Sequence, residues 1–260
     1  MIKSGPLENL LKKDRFITIV GLVIISALSW LYIIYLYRQM AVMNMNAAFF
    51  AMPMTQYWTV TDFVLLFVMW LVMMIAMMTP SVTPLILIFA MVNRKKREAQ
   101  SPFIHTGYLL AGYFLIWAGF SLLATVLQWA LQQVSLLNAE MKTTSKILGA
   151  TILVVAGIFQ FTRWKKACLH HCSTPLNFIH RNWKEGKKGA LQMGIKNGTY
   201  CLGCCWVLMV LLFFSGIMNL LWIALIALFV LIEKTVPHPK WISSVAGIAL
   251  IVYGIIVMMY

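Results

Sequence analysis

Carboxylates are almost missing from this sequence: seven Asp and Glu stand against 21 Lys and Arg in 260 residues, and charged residues of every kind make up only 11%. With 62% hydrophobic residues and a mean hydropathy of +0.84, that leaves too little polar surface to cover a soluble globule. No Gly/Ser-rich linker or internal repeat interrupts the chain, so residues 1–260 read as a single domain. The alternating apolar and polar pattern of barrel strands is missing too. No small-residue cleavage pattern follows the first apolar stretch, which reads as a retained span rather than a signal peptide. A Ser-His-Asp set, a glycine-rich phosphate loop and a zinc-protease helix motif are all absent, which argues against hydrolases. Five cysteines, an odd number, do not suit a secreted disulfide framework.

What the chain does contain is a series of apolar runs joined by short polar segments. Crossing a hydrocarbon core of ~30 Å takes roughly 20 mostly apolar residues. Seven runs qualify or come near: 16–36, 60–78 (apolar past Pro80 and Pro84 to residue 92), 107–131, 147–161, 199–217, 220–232 and 242–259. The fourth and sixth are short. Only Met218-Asn219 separates the fifth from the sixth, which predicts a tight antiparallel hairpin. Backbone polar groups in lipid must be satisfied within their own segment, so the expected fold is an all-α, polytopic transmembrane bundle of about seven spans.

The net charge of +14 sits in short blocks between these runs, where positive charge reports topology rather than a nucleic-acid partner. Placing the amino terminus inside puts 18 of the 21 Lys and Arg on the cytoplasmic side. Arg38, Lys142 and Lys146 alone fall outside. The expectation is a bacterial inner (cytoplasmic) membrane protein with the lipid bilayer as its main partner, amino terminus inside and carboxyl terminus outside. Lys165, Lys166, Lys184, Lys187 and Lys188 then read as topological charges near anionic lipid.

Soft ligands are concentrated in three places. Cys201, Cys204 and Cys205 fall at i, i+3 and i+4, on one face of a helix, with Met209 extending the stripe. Cys168, His170, His171 and Cys172 form a second cluster, its thiols one helical turn apart. Both clusters are expected at the same membrane face, joined by the inner basic segment 163–196. Met69, Met73 and Met77 recur every four residues in the second run, and Met77 and Met78 are expected to reach that depth. The outer segment 39–58 carries five methionines between Met40 and Met54. Thiolate and thioether donors select soft metals such as Cu(I), whereas zinc favours a closed tetrahedral Cys/His set. Thiols and thioethers are also ordinary core fillers, and an interfacial hairpin would explain the loop methionines. Glu233, beside Lys234 at the inner end of the sixth run, either sits at headgroup level or pairs with a metal or the basic segment. Gln128, Gln160 and Asp62 are the other polar groups in or at the edge of spans. The expected metal ligands are Cys201, Cys204, Cys205, Cys168, Cys172, His171, Met73, Met77 and Glu233, with copper favoured over zinc.

MWLVMMIAMMTPS (69–81), LQWAL, CLHHCSTPLNFI (168–179), GALQMGIKNGTYCLGCCWVLM (189–209) and MNLLWIALIALFVLIEK (218–234) together resemble a bacterial family of predicted metal-binding integral membrane proteins. The resemblance covers most of the chain from the second run onward. It implies a membrane-embedded, metal-linked protein and supplies no reaction. A histidine commonly stands in that family where this chain has Asn197, which bears on one ligand or on the identity of the metal.

Three functions fit these residues. One is metal handling or delivery, with outer methionines capturing Cu(I), a thiol and thioether site near the inner face holding it, and a periplasmic metal-binding protein as partner. Another is a membrane oxidoreductase, metal-dependent or using the Cys201-x2-Cys204 dithiol, although that dithiol is expected on the reducing side. The third is a structural or assembly subunit whose thiols only pack.

Overall fold

A computed structural model of the chain describes residues 6–42, 58–98, 105–134, 143, 145–236 and 239–259. Among them are nine helices and no strand element: α1 (Pro6–Val42), α2 (Val60–Glu98), α3 (Thr106–Gln133), α4 (Lys146–Phe161), α5 (Arg163–Ser173), α6 (Pro175–Asn182), α7 (Gly186–Ser215), α8 (Leu220–Thr235) and α9 (Pro239–Met259). The all-helical expectation holds. Each of the seven apolar runs lies in a helix of its own: α1 to α4 and α7 to α9. The methionine-rich segment 39–58 falls largely outside the described residues.

Five helices contain stretches long and apolar enough to cross a membrane: Phe16–Gln39, Val60–Asn93, Thr106–Gln133, Gly186–Ser215 and Trp241–Met259. A sixth arises if α4 and α5, bent by 65° at their junction, count as one broken span. The count is therefore lower than seven by length and composition, because α4 and α8 have 16 residues each. Large apolar side chains such as Leu28, Leu31, Leu123, Leu221 and Ile248 remain exposed on the outer faces of the bundle.

Proline does not end α2. Pro80 and Pro84 lie inside it and remove two intrahelical donors. The hydroxyls of Thr79, Ser81 and Thr83 turn back onto the carbonyls of Ile75, Met78 and Thr79, adding bonds within the same turns. Asp62 caps the start of α2 by accepting from the Thr59 N–H at 2.9 Å.

The basic segment 163–196, expected to be a loop, is helical almost throughout. Thr162 ends α4, and its side-chain oxygen accepts from the Lys165 N–H to start α5. Pro175 opens α6, where its missing N–H costs nothing. Lys165, Leu169, Phe178 and Ile179 are buried, so this stretch packs as well as carrying charge.

Glycine sets the closest helix approach. A Cβ at Gly112 would lie 2.2 Å from the Leu191 carbonyl oxygen, and one at Gly194 would lie 2.0 Å from that of Leu109. Small residues let α3 and α7 meet backbone to backbone. Residue numbers rise together along this contact, from Leu109 with Gly194 to Ile116 with Gly198, so α3 and α7 are parallel. α4 and α9 are antiparallel, since Gly157 meets Gly247 while Ala150 meets Gly254. The expected hairpin is present: α7 stops at Gly216, whose φ of 93° is costly for any other residue, and the chain turns through Asn219 into α8.

Candidate metal centre

α7 places Cys201, Cys204 and Cys205 in the buried core. The Cys204 and Cys205 thiols donate to the Cys201 carbonyl at 3.0 and 2.8 Å, so both are anchored to the helix's own backbone. The Cys201 thiol contacts that of Cys205. Its sulfur lies 3.0 Å from the Tyr113 hydroxyl of α3 and 2.9 Å from Lys234 Nζ of α8. The parallel, glycine-mediated contact of α3 with α7 brings Tyr113 to this depth.

The second thiol pair meets the first. After the bend at Thr162, α5 packs back against α7, and the Cys172 side chain contacts that of Cys204. Cys168 Sγ sits over Gly203, where an added Cβ would stand only 2.8 Å away. The thiol clusters around residues 168–172 and 201–205 thus converge, as their shared membrane face led one to expect. Among the described residues no three His, Cys, Asp or Glu side chains stand together in a geometry that holds a metal ion. The thiols touch in a row, Cys172 with Cys204, Cys204 with Cys205 and Cys205 with Cys201.

Beside them lies a cavity of about 210 Å³, bordered by Ser81, Tyr113, Cys172, Asn197, Cys201 and Lys234 among others. Thiols form one part of its wall. An ammonium, an amide and hydroxyls form much of the rest. Asn197 is buried and borders this cavity.

The remaining candidates stand apart from the cavity wall. Met73 and Met77 are fully buried among apolar neighbours and do not border it. His171 stacks on Tyr200, with ring centroids 4.4 Å apart. Glu233 is buried and forms an ion pair with Lys165 Nζ at 2.5 Å, with Ser243 hydrogen-bonded to the same carboxylate and Gln160 bonded to the same ammonium. Of the two readings of Glu233, pairing with the basic segment is what the fold displays. Lys165, expected at the lipid surface, is correspondingly interior, because the 65° bend folds α5 inward.

Sequence reasoning missed Lys234, Tyr113 and Ser81 as members of this site. Lys234 carried one signal: the adjoining Glu233 and Lys234 end an apolar run that has no other charge between residues 220 and 232. Tyr113 and Ser81 carried none, since an aromatic and a serine inside apolar helices are ordinary packing residues.

No curated protein and no solved structure matches the chain. The model of the PpoB2 family, described as copper chaperone, matches residues 67–257, which take in α2 from its third turn, both thiol clusters, Lys234 and most of α9. The chain belongs to this copper chaperone family.

Proposed function

We propose that the chain is an integral protein of the bacterial inner membrane that takes Cu(I) as cargo at the thiols of α5 and α7 and passes it to a partner. The observation that carries this reading is the meeting of Cys172 with Cys204 beside a polar cavity that Cys172 and Cys201 both border. Sulfur donors facing a polar space inside an apolar bundle suit a soft monovalent ion. Cys201, Cys204, Cys205, Cys168 and Cys172 form the proposed ligand pool. His171, Met73, Met77 and Glu233 lie around it and are engaged in packing or an ion pair. Zinc is the less suitable cargo, because four-donor closure has no matching set among the described residues.

The amino terminus and the basic blocks face the cytoplasm in this reading, and the methionine-rich segment 39–58 faces a periplasmic metal-binding protein. Cys204 and Cys205 give up their hydrogen bonds to the Cys201 carbonyl if they bind metal, at a net cost of about 1 kcal/mol each. A metal–thiolate bond exceeds that many times over. Copper analysis of the detergent-purified protein tests the reading. Near-stoichiometric copper is expected, and replacement of Cys201, Cys204 and Cys205 together by serine should abolish it while the protein still reaches the membrane. Copper retained by the triple variant would show that these thiols only pack.

A further inference from the structure

Lys234 poses a problem of charge. A lysine at the last turn of an apolar helix ordinarily snorkels toward the headgroups. This one is buried and turns inward, with Nζ 2.9 Å from Cys201 Sγ and 3.1 Å from Ser81 Oγ. Its neighbour in sequence, Glu233, is committed to Lys165. No carboxylate faces the ammonium among the described residues. The groups around it are the thiols of α7, the Tyr113 hydroxyl of α3 and the Ser81 hydroxyl of α2. An ammonium buried in an apolar bundle is costly unless an anion accompanies it, and among the described residues the groups in reach that can become anionic are sulfurs and a phenol.

The charge count then distinguishes cargoes. When two cysteines bind a metal, both sulfurs lose their protons to solvent and each contributes a lone pair, and no electron is transferred. Two thiolates around Cu(I) make a group of net charge −1, which one ammonium balances. The same two thiolates around a divalent ion make a neutral group and leave the ammonium without a counter-charge. Two-sulfur coordination is ordinary for Cu(I) and incomplete for zinc, and two thiols, those of Cys172 and Cys201, border the cavity with the ammonium.

We propose that Lys234 is the counter-ion of an anionic bis-thiolate Cu(I) centre on Cys172 and Cys201, the two thiols that share the cavity wall with it, and that it makes the site selective for a monovalent soft ion. This rests on the copper-site reading above and adds the determinant of oxidation state and metal choice. Lys234 acts as a specificity-determining residue through its charge rather than as a ligand, since a protonated amine has no lone pair to give.

The test uses full-length protein in detergent under anaerobic conditions, with Cu(I) and Zn(II) affinities each measured by competition against a chromophoric chelator for wild type, Lys234→Gln and Lys234→Arg. In Lys234→Gln, Cu(I) affinity should fall by about tenfold or more, the scale of one lost charge contact in a partly buried site. Zn(II) affinity should hold or rise, which also reports that the variant is folded. Lys234→Arg should keep the wild-type preference, because the charge is retained. Equal losses for both metals, or unchanged Cu(I) affinity in Lys234→Gln, would overturn the counter-ion role. A wild-type protein that takes up no Cu(I) overturns the copper site itself, and the counter-ion with it.

Discussion

Single residues here do two separable jobs, and glycine displays the contrast. Gly194 lies where α7 touches the backbone of α3, and a methyl group there would stand 2.0 Å from the Leu109 carbonyl oxygen, which cannot move away like a flexible side chain. Gly119, on the same α3, has nothing within 4 Å of an added Cβ. Gly194→Ala should therefore force α3 and α7 apart at a cost of about 1–3 kcal/mol, whereas Gly119→Ala should be neutral or slightly stabilising through helix propensity. Thermal unfolding of the two variants in the same detergent decides it, and equal midpoints would contradict the close contact described here. Because Tyr113 rides on α3, Gly194→Ala should also weaken copper retention while leaving every thiol in place.

At the scale of the element, the bend between α4 and α5 is the feature on which the site depends. It swings Cys168 and Cys172 onto α7 and carries Lys165 into the interior, where Glu233 of α8 receives it. Removing one partner of a buried ion pair leaves the other uncompensated, which typically costs about 3–5 kcal/mol, whereas replacing both with apolar residues is often close to neutral. Lys165→Met should thus destabilise the protein strongly, and the double variant Lys165→Met with Glu233→Met should recover most of that loss. Simple addition of the two single effects in chemical denaturation would show that the pair does not hold α5 to α8. This element also marks the limit of what the sequence makes legible. Apolar length alone locates seven helices, and the i, i+3, i+4 spacing of Cys201, Cys204 and Cys205 puts their sulfurs on one side of α7. The charge density of 163–196 hides its buried face, because Lys165, Leu169 and Phe178 are spaced among exposed cations. Lys234 is hidden for a different reason: which way a long side chain turns at a helix end depends on partners from three other helices, and no local pattern encodes them.

For the whole molecule, the relative directions of the helices constrain how the chain passes through a bilayer. α3 and α7 are parallel, so the chain between them must travel back the length of one helix, and α4 with α5 is what covers that distance. α4 runs antiparallel to α7, with Gly149 beside Phe214 and Phe159 beside Trp206. α8 returns along α7 from Asn219 until Lys234 reaches Cys201, so its 16 residues span the depth from the C-terminal end of α7 to the thiols, about 24 Å at 1.5 Å per residue. α9 then runs antiparallel to α4. Although α4 and α8 are short of the roughly 20 residues a lone span needs, each is matched along its length by a longer neighbour, and a locally thinned bilayer accommodates a deficit of a few ångströms at modest cost. This alternation, together with the concentration of Lys and Arg in the segments assigned to one side, leads us to propose seven passes with the amino terminus inside and the carboxyl terminus outside. Reporter fusions in the Arg94 to Arg97 block and after Tyr260 should place the block in the cytoplasm and the carboxyl terminus in the periplasm. If both reporters are cytoplasmic, the number of passes is even. That outcome would also contradict the antiparallel course of α9 along α4 and overturn the seven-pass reading.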